Sequence, residues 1–325
     1  MGLFGHRWSA KRPGVEVSWL VPLPRRVAPP AADAPRCILC GDMIVAWGER
    51  HAVGVDVSLG RIAFKSKFGP WRPSGFDAAG RLALTRADQL AAAYLDPVDG
   101  RIVESEEARP EPVLEAQDAP EAPELDPTLR FAGGTLRVRT ETVNRVTRHM
   151  LEVADGAAPR RLEVAAFTLR SDRLILRAAG PRLYGWVGGD PECPTGALAA
   201  FAGGPYFVLR RRHAERHEHF VPEDFVDVVG HGDAPLVAVV LPEGGGAPRE
   251  VELGIVPEVW RGLGRRDGSR PTYVERALGA RPIGVLGRQL LVEFIELEGG
   301  KPHSARGLQP RRRSVAGFDA SALLD

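Results

Sequence analysis

The stretch that decides the fold begins Cys37-Ile38-Leu39-Cys40-Gly41-Asp42-Met43-Ile44-Val45-Ala46-Trp47. It continues through His51–Asp56 and turns at Gly60-Arg61 into Ile62-Ala63-Phe64. A second stretch keeps the same order: Gly75-Phe76-Asp77-Ala78-Ala79-Gly80-Arg81-Leu82-Ala83-Leu84-Thr85, then residues 90–96, then Gly100-Arg101 and Ile102-Val103. Each copy reads as three or four short apolar strands joined by tight turns. The turn chemistry is specific. Asp96-Pro97-Val98-Asp99-Gly100-Arg101 puts Pro where a φ near −65° is wanted and Gly where a positive φ is wanted. Val55-Asp56-Val57-Ser58-Leu59-Gly60-Arg61 keeps the same spacing from Asp to Gly-Arg. One hairpin is commonplace, but two with matching outer strands, roughly 40 residues apart, indicate a repeat.

The run Val53-Gly54-Val55-Asp56-Val57-Ser58-Leu59-Gly60-Arg61-Ile62-Ala63-Phe64 resembles the blade signature of PQQ-like and related WD40-type β-propellers. Such blades usually carry Trp after the Gly-Arg. Phe64 holds that place in the first copy and Glu104 in the second, so the resemblance implies a propeller without implying a cofactor. It covers about a fifth of the chain, and divergent propellers of this kind resemble accessory proteins found beside AAA+ ATPases and von Willebrand-type domains in bacterial multi-protein systems.

Upstream, residues 1–35 are rich in Pro, with one alternating run, Val15-Glu16-Val17-Ser18-Trp19-Leu20-Val21. That run predicts a strand that completes a blade built from C-terminal strands, with Val15, Val17, Trp19 and Val21 facing the core between blades. Downstream, residues 104–127 combine Glu, Pro and Ala with one-sign charge, the composition of a solvated, disordered inserted loop. From Leu129 the strand pattern resumes: 136–140, 149–154, 161–164, 173–177, 183–188, 206–209, 236–241, 249–253 and 290–297. Clusters near residues 38, 75, 129, 164, 201, 226 and 283 suggest about seven units of roughly 40 residues, with six as the alternative count. Residues 257–282 read as a partly helical insertion. The tail from Val315 to Leu324 reads as a last strand or helix.

With 325 residues the chain can hold one large all-β domain, and a single propeller over 1–325 is the reading adopted. The net charge of +1 argues against nucleic acid or an anionic membrane as the main partner. No apolar run approaches the roughly 18 residues of a spanning helix. Met1–Arg12 lacks the apolar core of a secretory signal, and three cysteines make no disulfide framework. A cytoplasmic protein is expected.

Candidate chemistry is thin. Cys37-x-x-Cys40 lies in a predicted strand, where residues three apart point to opposite faces, and only Cys193 remains as a further sulfur ligand. Both cysteines are expected reduced, buried and free of metal. His213, His217 and His219 could share a metal, but Arg210, Arg211, Arg212 and Arg216 surround them. A charged loop is the expectation there. Gly188-Gly189 and Gly244-Gly245-Gly246 precede strands rather than helices, so they read as turns and not phosphate cradles. Arg210-Arg211-Arg212 and Arg311-Arg312-Arg313 read as solvated surface. No catalytic, cofactor or metal residue is assigned. The expected function is a non-enzymatic scaffold or adaptor for a protein partner. A propeller hydrolase or lyase with a site in the central channel is the alternative.

Overall fold

The computed structural model describes residues 17–27, 36–77, 79–86, 91–108, 114–115, 128–131, 134–143, 146–154, 160–165, 174–179, 182–187, 196–201, 206–211, 236–241, 247–253, 276–298 and 309–321. The His213, His217 and His219 cluster, Cys193, and both Gly-rich pieces lie outside them.

Nearly everything described is strand. In chain order these are β1 Val17–Pro22, β2 Cys37–Cys40, β3 Met43–Trp47, β4 His51–Asp56, β5 Arg61–Lys67, β6 Trp71–Phe76, β7 Leu82–Arg86, β8 Ala92–Leu95 and β9 Ile102–Glu104. There follow β10 Leu114–Glu115, β11 Thr128–Phe131, β12 Gly134–Val143, β13 Val146–Ala154, β14 Arg160–Ala165, β15 Leu174–Ala179, β16 Arg182–Val187, β17 Gly196–Phe201 and β18 Tyr206–Arg211. The last are β19 Leu236–Leu241, β20 Arg249–Glu252, β21 Arg276–Leu286, β22 Gln289–Glu298 and β23 Gln309–Asp319. All pairings are antiparallel. Four sheets have four strands (β2-β3-β4-β5, β6-β7-β8-β9, β11-β12-β13-β14 and β1-β23-β22-β21), and one has seven, β10-β15-β16-β17-β18-β19-β20.

Both predicted copies are thus separate four-stranded sheets, and the N-terminal strand does complete the C-terminal sheet. β1 lies along β23, with Val17 opposite Phe318, Trp19 opposite Gly317 and Val21 opposite Val315.

The sheets stack face to face, which explains why β3 is buried at every position rather than at alternate ones. Met43, Val45 and Trp47 pack against Phe76, Leu82 and Leu84 of the next sheet. Ile44 and Ala46, on the other face, pack with Leu291 and Val315 of the C-terminal sheet. The far face of that sheet, with Val292, Phe294 and Phe318, packs on Phe207 and Val240 of the seven-stranded sheet. Side-chain alternation with apolar residues on both faces is what a strand between two sheets requires.

Several expectations need correction. The described strands form five sheets, the strands near 164 closing the β11–β14 sheet and those from 174 to 252 joining one larger sheet, which leaves the count of about seven units, or six, unconfirmed. The second copy starts at Trp71, not Gly75. Pro73 does not break the strand because β6 is an edge strand and carries a bulge between Pro73 and Gly75. In the expected helical insertion 257–282, residues from Arg276 onward are strand β21. Its Pro282 also sits at a bulge on an edge strand. Within the acidic segment 104–127, Glu106–Ala108 form a 3-10 turn with Ala108 buried, and Leu114–Glu115 pair with β15. Finally, a bulge at Ser18 sends Val17 to the face opposite Trp19 and Val21. Val15 lies outside the described residues.

Candidate docking face

Each copy enters its fourth strand through a turn whose first Asp folds the chain onto itself. Asp56 accepts a hydrogen bond from the Ser58 hydroxyl at 2.6 Å and from the Leu59 amide at 3.0 Å, and the Gly60 amide reaches the Asp56 carbonyl at 2.9 Å. Asp96 accepts from the Val98 amide at 2.8 Å, and the Gly100 amide reaches the Asp96 carbonyl at 2.9 Å. Gly60 and Gly100 have φ of 57° and 75°, the left-handed region that favours glycine.

A third copy of this turn starts at Asp319, which accepts from the Ser321 amide at 2.9 Å and the Ser321 hydroxyl at 2.6 Å. Its surroundings match the first copy position by position. Gly317-Phe318-Asp319-Ala320-Ser321 corresponds to Gly54-Val55-Asp56-Val57-Ser58. The Ala320 amide donates to the Arg288 carbonyl at 2.7 Å, as the Val57 amide does to the Asp42 carbonyl at 3.1 Å. The fourth strand of this copy is β1, from the other end of the chain. Local hydrogen bonds, the Ser hydroxyl foremost, hold the carboxyls of Asp56 and Asp319 below the usual carboxylate range.

The aromatic position on the fourth strand locks each sheet to the next. Phe64 lies opposite Gly54 in its own sheet. A Cβ added to Gly54, or to Gly100 of the following sheet, would run into its ring. The Ser66 hydroxyl beside it donates to the Gly100 carbonyl. Trp19 repeats this arrangement one sheet earlier. It lies opposite Gly317, and a Cβ on Gly317 or on Gly60 of the following sheet would come within 2.5 Å of the indole. The Trp19 indole nitrogen also donates to Gln289 at 3.1 Å. Trp19 thus holds in the C-terminal sheet the place that Phe64 holds in the first copy. The equivalence was hidden in the sequence because Trp19 and Gly317 stand at opposite ends of the chain.

These locks hold the turn backbones while leaving their tips outward. Leu59 is 57% exposed and Val98 71%, the two exposed large hydrophobics among the described residues, and both sit on equivalent turns of consecutive sheets. Arg61 and Arg101 flank them, exposed, with Asp99 pairing Arg101 at 3.1 Å.

The buried charge lies elsewhere. Arg313, expected at the surface, is 3% exposed. Its Nε donates to Glu293 Oε1 at 2.5 Å, its Nη2 reaches the same oxygen, and its Nη1 donates to the Val27 carbonyl at 2.7 Å. Alternation along β23 turns it inward, and Glu293 offsets the cost of desolvation. Cys37 and Cys40 are buried on opposite faces, as the spacing predicts. Burial, then the neighbouring Glu293 charge, pushes the Cys37 thiol well up, which suppresses thiolate chemistry. The Cys40 thiol faces the Gly80 carbonyl at 3.6 Å. Among the described residues no group of three or more His, Cys, Asp or Glu could hold a metal ion, and no helix is long and apolar enough to cross a membrane.

No family model matches the chain, and no curated protein is similar to it in sequence. One solved structure, described as "Crystal Structure of the N-terminal Domain of Nup159", aligns over 87% of this chain and 75% of that chain at 9% identity, with a TM-score of 0.18. So low a score leaves the fold to be argued from the strands alone.

Proposed function

We propose that this chain is a β-propeller whose N-terminal strand closes the ring, and that it serves as a non-enzymatic scaffold in a multi-protein assembly. The observation that carries the reading is the pair of exposed apolar tips, Leu59 and Val98, on matching turns held by interlocked sheets. A rigid frame with apolar tips suits partner docking, since little order is lost on binding. An enzyme would gather displaced ionisable groups in a cleft. The groups displaced among the described residues are two turn aspartates, the half-buried Arg36 and the buried Cys37, and turn hydrogen bonds or burial account for them. A cytoplasmic setting agrees with two buried free thiols. AAA+ ATPases and von Willebrand-type domain proteins are the first partners to test.

The test is affinity purification from the native cell with wild type and with a Leu59→Glu/Val98→Glu variant, followed by reconstitution of the recovered pair from pure proteins. The double variant should keep its melting temperature and lose the partner. Undiminished binding by the variant would remove this face from the proposal, and turnover of a small substrate by the pure protein would replace the scaffold with an enzyme.

A further inference from the structure

The opposite end of the same sheets is chemically different. The turn from β3 to β4, Gly48-Glu49-Arg50, lies at the far end of β4 from the Asp56 turn. Four chain segments bring basic residues to it. A Cβ on Gly48 would lie 2.6 Å from the Arg26 carbonyl, so the Arg25–Val27 turn abuts it. The Trp47 amide donates to the Arg36 carbonyl at 3.0 Å, and the Phe68 amide to the Arg50 carbonyl at 2.9 Å. Lys67 stands opposite His51 in register. Arg25, Arg26, Arg50 and Lys67 are exposed and Arg36 is half-buried, against one acid on the turn, Glu49. Arg72 continues the row, its Nη1 fixed by the carbonyls of Gly69 and Trp71 at 3.1 and 2.8 Å.

We infer that this basic end is a second interaction surface, and that its partner is an acidic protein segment. A chain of net charge +1 can present such a field because its acids are segregated, most visibly in residues 104–127. The details favour carboxylates over nucleic acid. The patch is mostly arginine, whose fork holds carboxylate and phosphate alike in two-point geometry, so the aromatic residues decide between them. Single-stranded nucleic acid binding uses aromatic platforms for the bases, and the tryptophans at this end, Trp47 and Trp71, are 4% and 6% exposed. Glu106 and Glu107 stand at the same end on the outer margin of the second sheet, where the Ser105 amide joins the Ala92 carbonyl, and mark the limit of the basic field.

Fluorescence anisotropy on the full chain tests this, with a labelled Glu/Asp-rich peptide, a single-stranded oligonucleotide and anionic phosphatidylserine vesicles as separate probes. The peptide should bind at low salt and be released as salt rises. Arg50→Glu/Lys67→Glu and Arg25→Glu/Arg26→Glu should each weaken it by at least about tenfold, because they place like charges against the peptide. Arg101→Glu, at the other end, should leave it unchanged, as should Leu59→Glu/Val98→Glu, which separates this surface from the docking face proposed above. No peptide binding, tighter binding of the oligonucleotide or vesicles, or an equal loss with Arg101→Glu would each overturn the assignment.

Discussion

Phe64 is a single residue on which two sheets depend. Its ring occupies the space over Gly54 and Gly100, and it is 8% exposed. Phe64→Ala removes the ring from both contacts and should cost about 3–5 kcal/mol in urea unfolding. Gly100→Ala attacks the same lock from the other side. It forces a side chain into φ of 75° and against Phe64, which should cost roughly 2–4 kcal/mol. If the two losses simply add in the double variant, the contact does not exist, since removing the ring should relieve the Gly100→Ala clash. The turn aspartates give a pH signature. Asp56 is held below its ordinary value by Ser58 first and then Leu59, so the folded state binds its proton more weakly than the unfolded state. That stability is present above the unfolded value, about 3.9, and is lost as pH falls through the lower folded one. Exposure at the turn keeps the effect small. Asp56→Asn should therefore flatten the acid limb of the stability–pH curve, and an unchanged slope would refute the linkage.

At the scale of elements, β5 shows how an outer strand avoids pairing with other chains. It ends its sheet, and its exposed positions include Arg61, Lys65 and Lys67. Lysine is scarce in this arginine-rich chain, yet two fall on this edge. Charged edges discourage strand addition. Lys65→Val/Lys67→Val should leave the melting temperature nearly unchanged and produce larger species than the parent in sedimentation velocity; equal sedimentation of the two would show that the charges guard nothing. The same elements show what could be read in the sequence. β2 to β5 and β7 to β9 were legible because each copy lies in one contiguous stretch with its Asp-to-Gly-Arg turn. β6 and β21 were harder, because Pro73 and Pro282 look like breaks when the sheet edge that tolerates them is not yet known. Arg313 was read as surface because a run of three arginines says nothing about which one alternation turns inward. The docking face was not singled out at all. Leu59 and Val98 are ordinary turn residues until burial shows that their neighbours are covered and they are not.

For the molecule as a whole, the decisive element is β1, because it joins the two ends of the chain. It lends the third copy its fourth strand, with Trp19 in the place of Phe64 and a bulge at Ser18 matching the one at Ala63. Beyond the pairing, the Leu23 amide donates to the Arg313 carbonyl at 2.8 Å, and the Arg313 side chain reaches Val27. Deleting residues 1–24 therefore removes more than a tail. It takes away Val21 and Leu23, which are 6% and 8% exposed, at roughly 1.5–3 kcal/mol each. It also strips the half-buried Trp19, whose change to Ala alone should cost on the order of 3 kcal/mol. Finally, it leaves β23 as an open edge beside uncovered Gly317 and Gly60. The truncated chain should aggregate or melt far below the parent. A synthetic peptide of residues 13–27 added during refolding should restore it, since the missing piece is a strand that pairs through its backbone and needs no covalent link. Trp19→Ala in that peptide should weaken the rescue. A truncated protein with the parent's melting temperature would show that β1 does not hold the ends together, and the proposed ring would lose its closure.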